Sequence, residues 1–112
     1  MFKFILVSGT TASQVIKLES INFETRIKEH PYHHHWFVNF YAPWCNNSKS
    51  LAPIWEEFAL EWSHAVNIAE VNCTEQWDLC KKYKIDSYPA LLFFAVEDPQ
   101  GEYYSYHGPR TV

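Results

Sequence analysis

Residues 40–53 read Phe-Tyr-Ala-Pro-Trp-Cys-Asn-Asn-Ser-Lys-Ser-Leu-Ala-Pro, and this stretch decides the fold. The apolar run that leads into it predicts a buried strand, which ends at the turn residue Pro43. Residues with helical spacing follow at once, so Cys45 falls where a strand passes into the N-terminus of a helix. The unpaired N–H groups and the partial positive charge of a first helical turn favour a thiolate over a thiol. Cys45 is therefore the candidate reactive residue.

A stripe of apolar residues after Cys45 predicts a long amphipathic helix that packs on a sheet. Pro53 removes one hydrogen bond of this helix and is expected to bend it. Core packing accounts for the stripe, and nothing in it suggests a cofactor site. Its members recur at intervals of three and four residues: Leu51, Ile54, Trp55, Phe58, Ala59 and Trp62.

Length and composition favour one small domain with a real core. The chain has 112 residues, of which 47% are hydrophobic and 18% aromatic. Its net charge of -4 and the lack of a run of lysines or arginines argue against nucleic acid as a partner. The longest apolar run is too short to cross a membrane.

Residues 1–13 are interpreted as a leader-like or additional N-terminal segment. Lys3 precedes a short apolar stretch and small residues, which is the order of parts in a secretory signal. A signal needs an apolar core of roughly 7–15 residues, and this one is shorter. An ordinary N-terminal strand is therefore favoured over a signal peptide.

The stretch 40–53 resembles the active-site segment FYAPWCGHCKxLAP of the protein disulfide isomerase branch of the thioredoxin family. The resemblance spans about residues 14–112. It implies an α/β thioredoxin-like fold, with a central mixed β-sheet flanked by helices. Family members continue beyond this point into a final helix, so we expect 14–112 to be a C-terminally incomplete domain that lacks that helix.

Periodicity predicts the remaining elements. A short helix should follow the first strand, with Ser20 as its cap and Phe23 and Ile27 on one face. A second short helix is predicted at 74–82. The remaining strands are predicted at 15–18, 65–72, 90–96 and 102–107.

The chain departs from the family at the reactive motif itself, where Asn46, Asn47 and Ser48 replace Gly, His and the second Cys. In a dithiol enzyme the second thiolate attacks the mixed disulfide and releases the client. A hydroxyl, whose pKa is far higher, cannot do this. Ser48 therefore predicts that Cys45 acts alone, with almost no net oxidase or reductase activity.

Two more positions depart from the family and one agrees with it. The family usually has a buried Glu and a Lys that are thought to move protons for the second cysteine, and here these positions hold Asn39 and Glu70. Both losses fit the absence of that cysteine. Arg110 matches a family arginine that approaches the motif, and its charge would favour the thiolate.

The segment that ends in Tyr88 and Pro89 resembles the family's "GYP" turn, whose proline is cis. The resemblance implies that the backbone of Tyr88 pairs with an extended polypeptide and holds it beside the thiol. Trp44, Tyr88 and Pro89 are thus the candidate substrate-binding residues.

Three cysteines allow one internal pair and one free thiol. Residues 71–80 resemble the family pattern VDCTxxxxLC, in which the sulfurs corresponding to Cys73 and Cys80 are paired; two buried, reduced thiols are the alternative. These two cysteines lack further ligands at zinc spacing. The histidines of 30–35 could bind a metal or sense protons, but a solvated loop is favoured, so no metal site is predicted.

We expect a protein disulfide isomerase-like domain of the secretory pathway or endoplasmic reticulum lumen, without a cofactor. Its partners would be unfolded or cysteine-containing polypeptides, with which Cys45 forms mixed disulfides for shuffling or retention. Any isomerase activity would be weak. The alternatives are a non-catalytic polypeptide-binding scaffold and a redox domain severed from a larger enzyme such as a sulfhydryl oxidase.

Two N-glycosylation sequons begin at Asn46 and Asn72. A glycan on Asn46 would block a polypeptide from reaching Cys45. We predict that Asn46 is unmodified in the mature protein.

Overall fold

A computed structural model describes residues 13–28, 35–95 and 103–106, with the backbone alone for residues 103 and 104. These residues form five strands and three helices, which alternate along the chain up to the fourth strand. They are β1 (Ile16–Lys17), α1 (Phe23–Lys28), β2 (His35–Tyr41), α2 (Asn46–Trp62), β3 (Val66–Asn72), α3 (Trp77–Lys82), β4 (Ala90–Phe94) and β5 (Tyr103–Tyr106).

The strands form one mixed sheet in the order β1-β3-β2-β4-β5. β1 and β2 both run parallel to β3, whereas β4 runs antiparallel to β2 and β5 antiparallel to β4. The register places Asn39 of the central strand between Glu70 of β3 and Leu91 of β4. The predicted α/β thioredoxin-like fold with a mixed sheet is confirmed. The expectation about a final helix lies outside the described residues.

Alternation along β2 gives the sheet two packed faces. Phe23 of α1 lies on one face and contacts the rings of Phe40, Tyr83 and Phe94 at centroid distances of 5.3–6.0 Å. α3 adds Leu79 and Cys80 to the same core.

The other face is covered by α2, whose Leu51, Trp55 and Ala59 are buried against Ile68 and Leu91. The indole N–H of Trp55 donates to the carbonyl oxygen of Ala69 at 2.9 Å, which ties the helix to β3. The amphipathic helix predicted from the stripe is therefore present, with Pro53 inside it.

Local details differ from the sequence-based predictions. Ser20 does not cap α1, because its hydroxyl donates to a carboxylate oxygen of Asp78 at 2.8 Å and the helix begins only at Phe23. Trp62 ends the apolar stripe, but it is 45% exposed and stacks on His64.

The second short helix begins at Trp77 rather than at residue 74. The side-chain oxygen of Asn72 accepts hydrogen bonds from both the backbone N–H and the hydroxyl of Thr74, which holds residues 73–75 in a turn. A local side-chain hydrogen bond of this kind competes with helix formation.

Among the helices of the described residues, none is long and apolar enough to cross a membrane. Of the histidine cluster, only His35 is described, as the first residue of β2. Within the same part of the chain, no three side chains of the metal-ligating types come together.

Candidate functional site

Cys45 is the N-cap residue of α2, with an extended backbone at φ -87° and ψ 128°. Its N–H donates to the carbonyl oxygen of Ala42 at 3.0 Å, and its own carbonyl accepts the N–H of Lys49 at 3.0 Å. These two bonds fix the turn between β2 and α2 on both sides of the sulfur. The residue is half-buried and free of any disulfide, so the thiol is within reach of solvent.

A second chain segment meets the sulfur from across the site. The Cys45 thiol donates to the carbonyl oxygen of Tyr88, with 3.6 Å between Sγ and oxygen. The bond between Tyr88 and Pro89 is cis. The ring of Tyr88 lies edge-on to that of Trp44 at a centroid distance of 5.7 Å, and Trp44 is 66% exposed. The structure therefore places Cys45 beside Trp44, Tyr88 and Pro89, which sequence reasoning had grouped as one site.

Ser48 lies on the protein side of the same turn and is buried. Its hydroxyl oxygen accepts the backbone N–H of Ala42 at 3.2 Å, which ties the first turn of α2 to the end of β2. The hydroxyl thus has a structural contact at the position where the resembled enzymes carry a second thiol.

Asn39 and Glu70 occupy paired positions on the face of the sheet that α2 covers. Asn39 is buried, and its side-chain oxygen has no hydrogen-bond partner among the described residues. Burial raises the pKa of the Glu70 carboxyl above its usual value; the positive charge of Lys17 opposes this rise and the negative charge of Glu56 adds to it. A neutral amide and a poorly solvated carboxyl therefore lie at paired positions of β2 and β3.

Tyr41 ends β2 on the same face. Burial raises the pKa of its hydroxyl, the negative charges of Glu70 and Glu75 raise it further, and a hydrogen bond with Asn72 acts in the opposite direction. The phenol is therefore held in its neutral form, which can donate a hydrogen bond.

A disulfide joins Cys73 and Cys80, with 5.8 Å between their Cα atoms. Both residues are buried, Cys80 within α3, and the N–H of Cys73 donates to the carbonyl oxygen of Tyr41 at 2.8 Å. The bridge is thus anchored to the end of β2, close in the chain to Cys45. Arg110, the remaining candidate site residue, lies outside the described residues.

Sequence reasoning missed a cleft of about 380 Å³ beside the thiol. It opens between the first turns of α2 and the segment 87–89, two regions that are far apart in the chain. In the sequence, the one hint of this cleft was Ile54, a member of the apolar stripe of α2 that lines the cleft. The lining residues are Asn47, Ser50, Leu51, Ile54, Ser87, Tyr88 and Pro89.

Comparison with known proteins agrees with this geometry. The family model for thioredoxin matches residues 14–111. Protein disulfide-isomerase A3 of Gallus gallus is 36% identical over 108 residues, which cover 96% of this chain. Protein disulfide-isomerase of Arthroderma benhamiae is 39% identical over 97 residues, or 86% of the chain. The crystal structure of full-length ERdj5 superposes with a TM-score of 0.80 at 27% identity over 88% of the chain.

The chain belongs to the thioredoxin family, and the two relatives described above are protein disulfide isomerases. The chain spans 20% and 18% of the length of those two relatives and 14% of the ERdj5 chain. The resemblance inferred from residues 40–53 is therefore confirmed for the family and its isomerase branch.

Proposed function

We propose that this domain acts in protein folding in the endoplasmic reticulum lumen as a monothiol, forming mixed disulfides through Cys45 alone. One observation carries the proposal. Cys45 has a half-exposed thiol, and the position one turn later in α2, where a second thiol would be needed, holds the buried hydroxyl of Ser48. The domain would use this thiol for disulfide shuffling or for retention of cysteine-containing clients. The names of the two matched relatives, both protein disulfide isomerases, support a role in disulfide exchange.

The chemistry balances without an external oxidant. The Cys45 thiolate attacks a client disulfide, so one bond forms between Sγ and a client sulfur while the client S–S bond breaks and its second sulfur leaves as a thiolate. A different thiol of the same client then attacks the client sulfur of the mixed disulfide and expels Cys45 as a thiolate. The client ends with the same number of disulfides in a new arrangement.

Tyr88 and Trp44 would hold the client during this exchange. When Cys45 is ionised or enters a disulfide, it no longer donates to the Tyr88 carbonyl. That carbonyl is then free to accept an N–H from an extended client segment, as in strand addition. Trp44 offers an exposed aromatic surface beside it. Arg110 would add a positive charge that favours the thiolate.

A non-catalytic scaffold is the second candidate, because Trp44, Tyr88 and Pro89 could bind a polypeptide without any use of the sulfur. The two functions differ in their response to Cys45→Ser. A scaffold keeps its clients in this variant, whereas the monothiol loses covalent capture.

Net reduction of insulin by the pre-reduced protein, in the absence of added thiol, tests the proposal. The parent should be nearly inactive, Ser48→Cys should gain reductase activity because a resolving thiol is restored, and Cys45→Ser should neither reduce insulin nor trap clients covalently. A parent rate comparable to that of Ser48→Cys would contradict the monothiol mechanism.

A further inference from the structure

The N-glycosylation sequon at residues 72–74 differs from the one at residues 46–48 in where the structure places it. Asn72 is the half-buried last residue of β3, and Thr74 is exposed in the turn that follows. The other sequon lies in the first turn of α2, and its hydroxyl residue, Ser48, is buried. Only the sequon at Asn72 therefore keeps its hydroxyl residue at the surface.

The two polar side chains of this sequon contact each other. The hydroxyl of Thr74 donates to Oδ1 of Asn72 at 2.6 Å, and the backbone N–H of Thr74 donates to the same oxygen at 3.0 Å. This is an Asx turn, which an asparagine forms from contacts within its own segment. Both bonds use the amide oxygen. The amide nitrogen, to which an N-linked glycan is attached, takes part in neither of them.

The folded domain leaves the Asn72 side chain at the surface of a cleft of about 160 Å³ and not in the core. The hydroxyl of Tyr41 forms a hydrogen bond with the same side chain. An N-linked sugar replaces one of the two protons on the amide nitrogen, so the other stays available to Tyr41. The native contacts of Asn72 are therefore compatible with a glycan.

A glycan on Asn72 would start on the side of the central strand away from the client-binding residues. β2 lies between β3 and β4 in the sheet, and Asn72 pairs with Tyr41 on the β3 side. Cys45 instead faces Tyr88, which comes two residues before β4. A sugar on Asn46, the residue next to Cys45, would have no such separation from the sulfur.

The disulfide of Cys73, the middle residue of the sequon, closes too late to block modification. Cys80 follows Asn72 by eight residues, and chains are synthesised at about 5–20 residues per second, so Cys80 emerges about a second later. Disulfide formation takes seconds to hours. N-linked transfer acts on a chain as it enters the lumen, when Cys73 is still a thiol.

We propose that Asn72 is an N-glycosylation site, modified at its amide nitrogen in the endoplasmic reticulum lumen. The assignment rests on the setting of the proposed function and adds a modification to the domain. The sugar donor is an oligosaccharide linked to a lipid pyrophosphate. Its anomeric carbon bonds to the nitrogen of Asn72 while its bond to the pyrophosphate oxygen breaks, the amide loses one proton, and the lipid pyrophosphate leaves. No oxidant or reductant enters this step.

The test expresses the chain in eukaryotic cells behind a cleavable secretory signal, whose removal leaves the chain itself in the lumen. A glycosidase that cuts the sugar from the amide in heavy-oxygen water converts each occupied asparagine to a labelled aspartate. Peptide mapping by mass spectrometry then reads both sequons. The label should appear at Asn72 in most chains and should be absent from Asn46.

Variants assign the glycan to one sequon. Thr74→Ala destroys the sequon at Asn72, so the glycosidase-sensitive shift of the chain on a denaturing gel should disappear. Thr74→Ser retains a hydroxyl at this position and should retain the shift. Asn46→Gln is the matched control, because it removes only the other sequon and should leave the shift unchanged.

A parent without label at Asn72 would overturn the proposal, as would a shift that survives Thr74→Ala. Cys45 is assayed in the same material by covalent capture of a peptide whose single cysteine is activated as a mixed disulfide. Capture by a chain without a glycan would overturn the modification and leave the proposed function intact. Occupancy of Asn72 without capture at Cys45 would support the modification and contradict the monothiol function.

Discussion

Two turns of this chain place a cysteine between the end of a strand and the start of a helix. Cys45 follows β2 and precedes α2, while Cys73 follows β3 and precedes α3. The turns adjoin, because the N–H of Cys73 donates to the carbonyl oxygen of Tyr41. Their sulfurs nevertheless differ, since Cys73 is buried and bonded to Cys80 whereas Cys45 is half-exposed and faces Tyr88.

The difference shows that a strand-to-helix junction does not by itself make a thiol available. What decides whether the sulfur stays free is whether a second cysteine is there to bond to it. In the second turn Cys80 lies seven residues on and completes a bridge, whereas in the first turn Ser48 occupies the place of a partner and is turned toward Ala42. The turn at Cys73 therefore braces the fold through a disulfide, whereas the turn at Cys45 leaves its sulfur free to react.

Alkylation should separate the two turns most clearly. At neutral pH, without reductant, iodoacetamide should modify one thiol per folded chain, and that thiol should be Cys45, because the other two sulfurs are in a disulfide. Peptide mapping by mass spectrometry identifies the site. Modification of Cys73 or Cys80 first would reverse the roles that we assign.

Removing each cysteine in turn should show which one supports stability. Cys73→Ala combined with Cys80→Ala should lower the free energy of unfolding by about 2–3 kcal/mol, because the short loop is no longer closed in the unfolded chain. Cys45→Ala serves as the control and should change it much less. Urea denaturation measures both, and equal effects would erase the distinction between brace and reactive thiol.

The half-buried carboxyl of Glu70, which is paired in register with Asn39, should make stability depend on pH. The raised pKa of Glu70 means that the folded state holds its proton more tightly than the unfolded state. The protonated carboxyl therefore favours folding below the unfolded pKa, and this advantage is lost as pH rises through the folded pKa.

Glu70→Gln removes the buried charge, so its stability relative to the parent should increase as pH rises from about 4 toward neutrality. Glu57→Gln, at an exposed position of α2, is the matched control and should not show this trend. Urea midpoints measured across the pH range test the prediction. Parallel pH profiles for the parent and Glu70→Gln would contradict it.

The smallest effect is expected at the sequon of the first turn. Asn46 is exposed, but Ser48 is buried with its hydroxyl bonded to Ala42, so the folded sequon is a poor acceptor. Glycopeptide mapping of protein from a eukaryotic secretory pathway should find Asn46 bare. High occupancy would place a bulky sugar beside Cys45 and favour the scaffold function.

The sequence was sufficient for the strand-turn-helix unit around Cys45, because apolar periodicity and Pro43 define it locally. It failed where a distant partner decides the local structure. Ser20 was predicted to cap a helix, but its hydroxyl donates a hydrogen bond to Asp78, which lies 58 residues away in the chain. The position of Trp62 fits the buried stripe, yet its ring is largely exposed and stacks on His64.

The cleft beside Cys45 was not predictable for a related reason. Its walls come from α2 and from residues 87–89, and no periodic pattern links them. The raised pKa of Glu70 also depends on a burial and on neighbours, Lys17 and Glu56, that only the tertiary fold provides.

The lifetime of a mixed disulfide tests the central claim most directly. A peptide with a single cysteine is attached to Cys45 in the parent and in Ser48→Cys, and its release is followed without added thiol. In the variant, the new thiol should attack the bridge, expel the peptide as a thiolate and form an internal disulfide. The parent complex should persist until an external thiol is added. Release from the parent as fast as from Ser48→Cys would show that another group resolves the bridge, and would contradict the account of Cys45 as a monothiol.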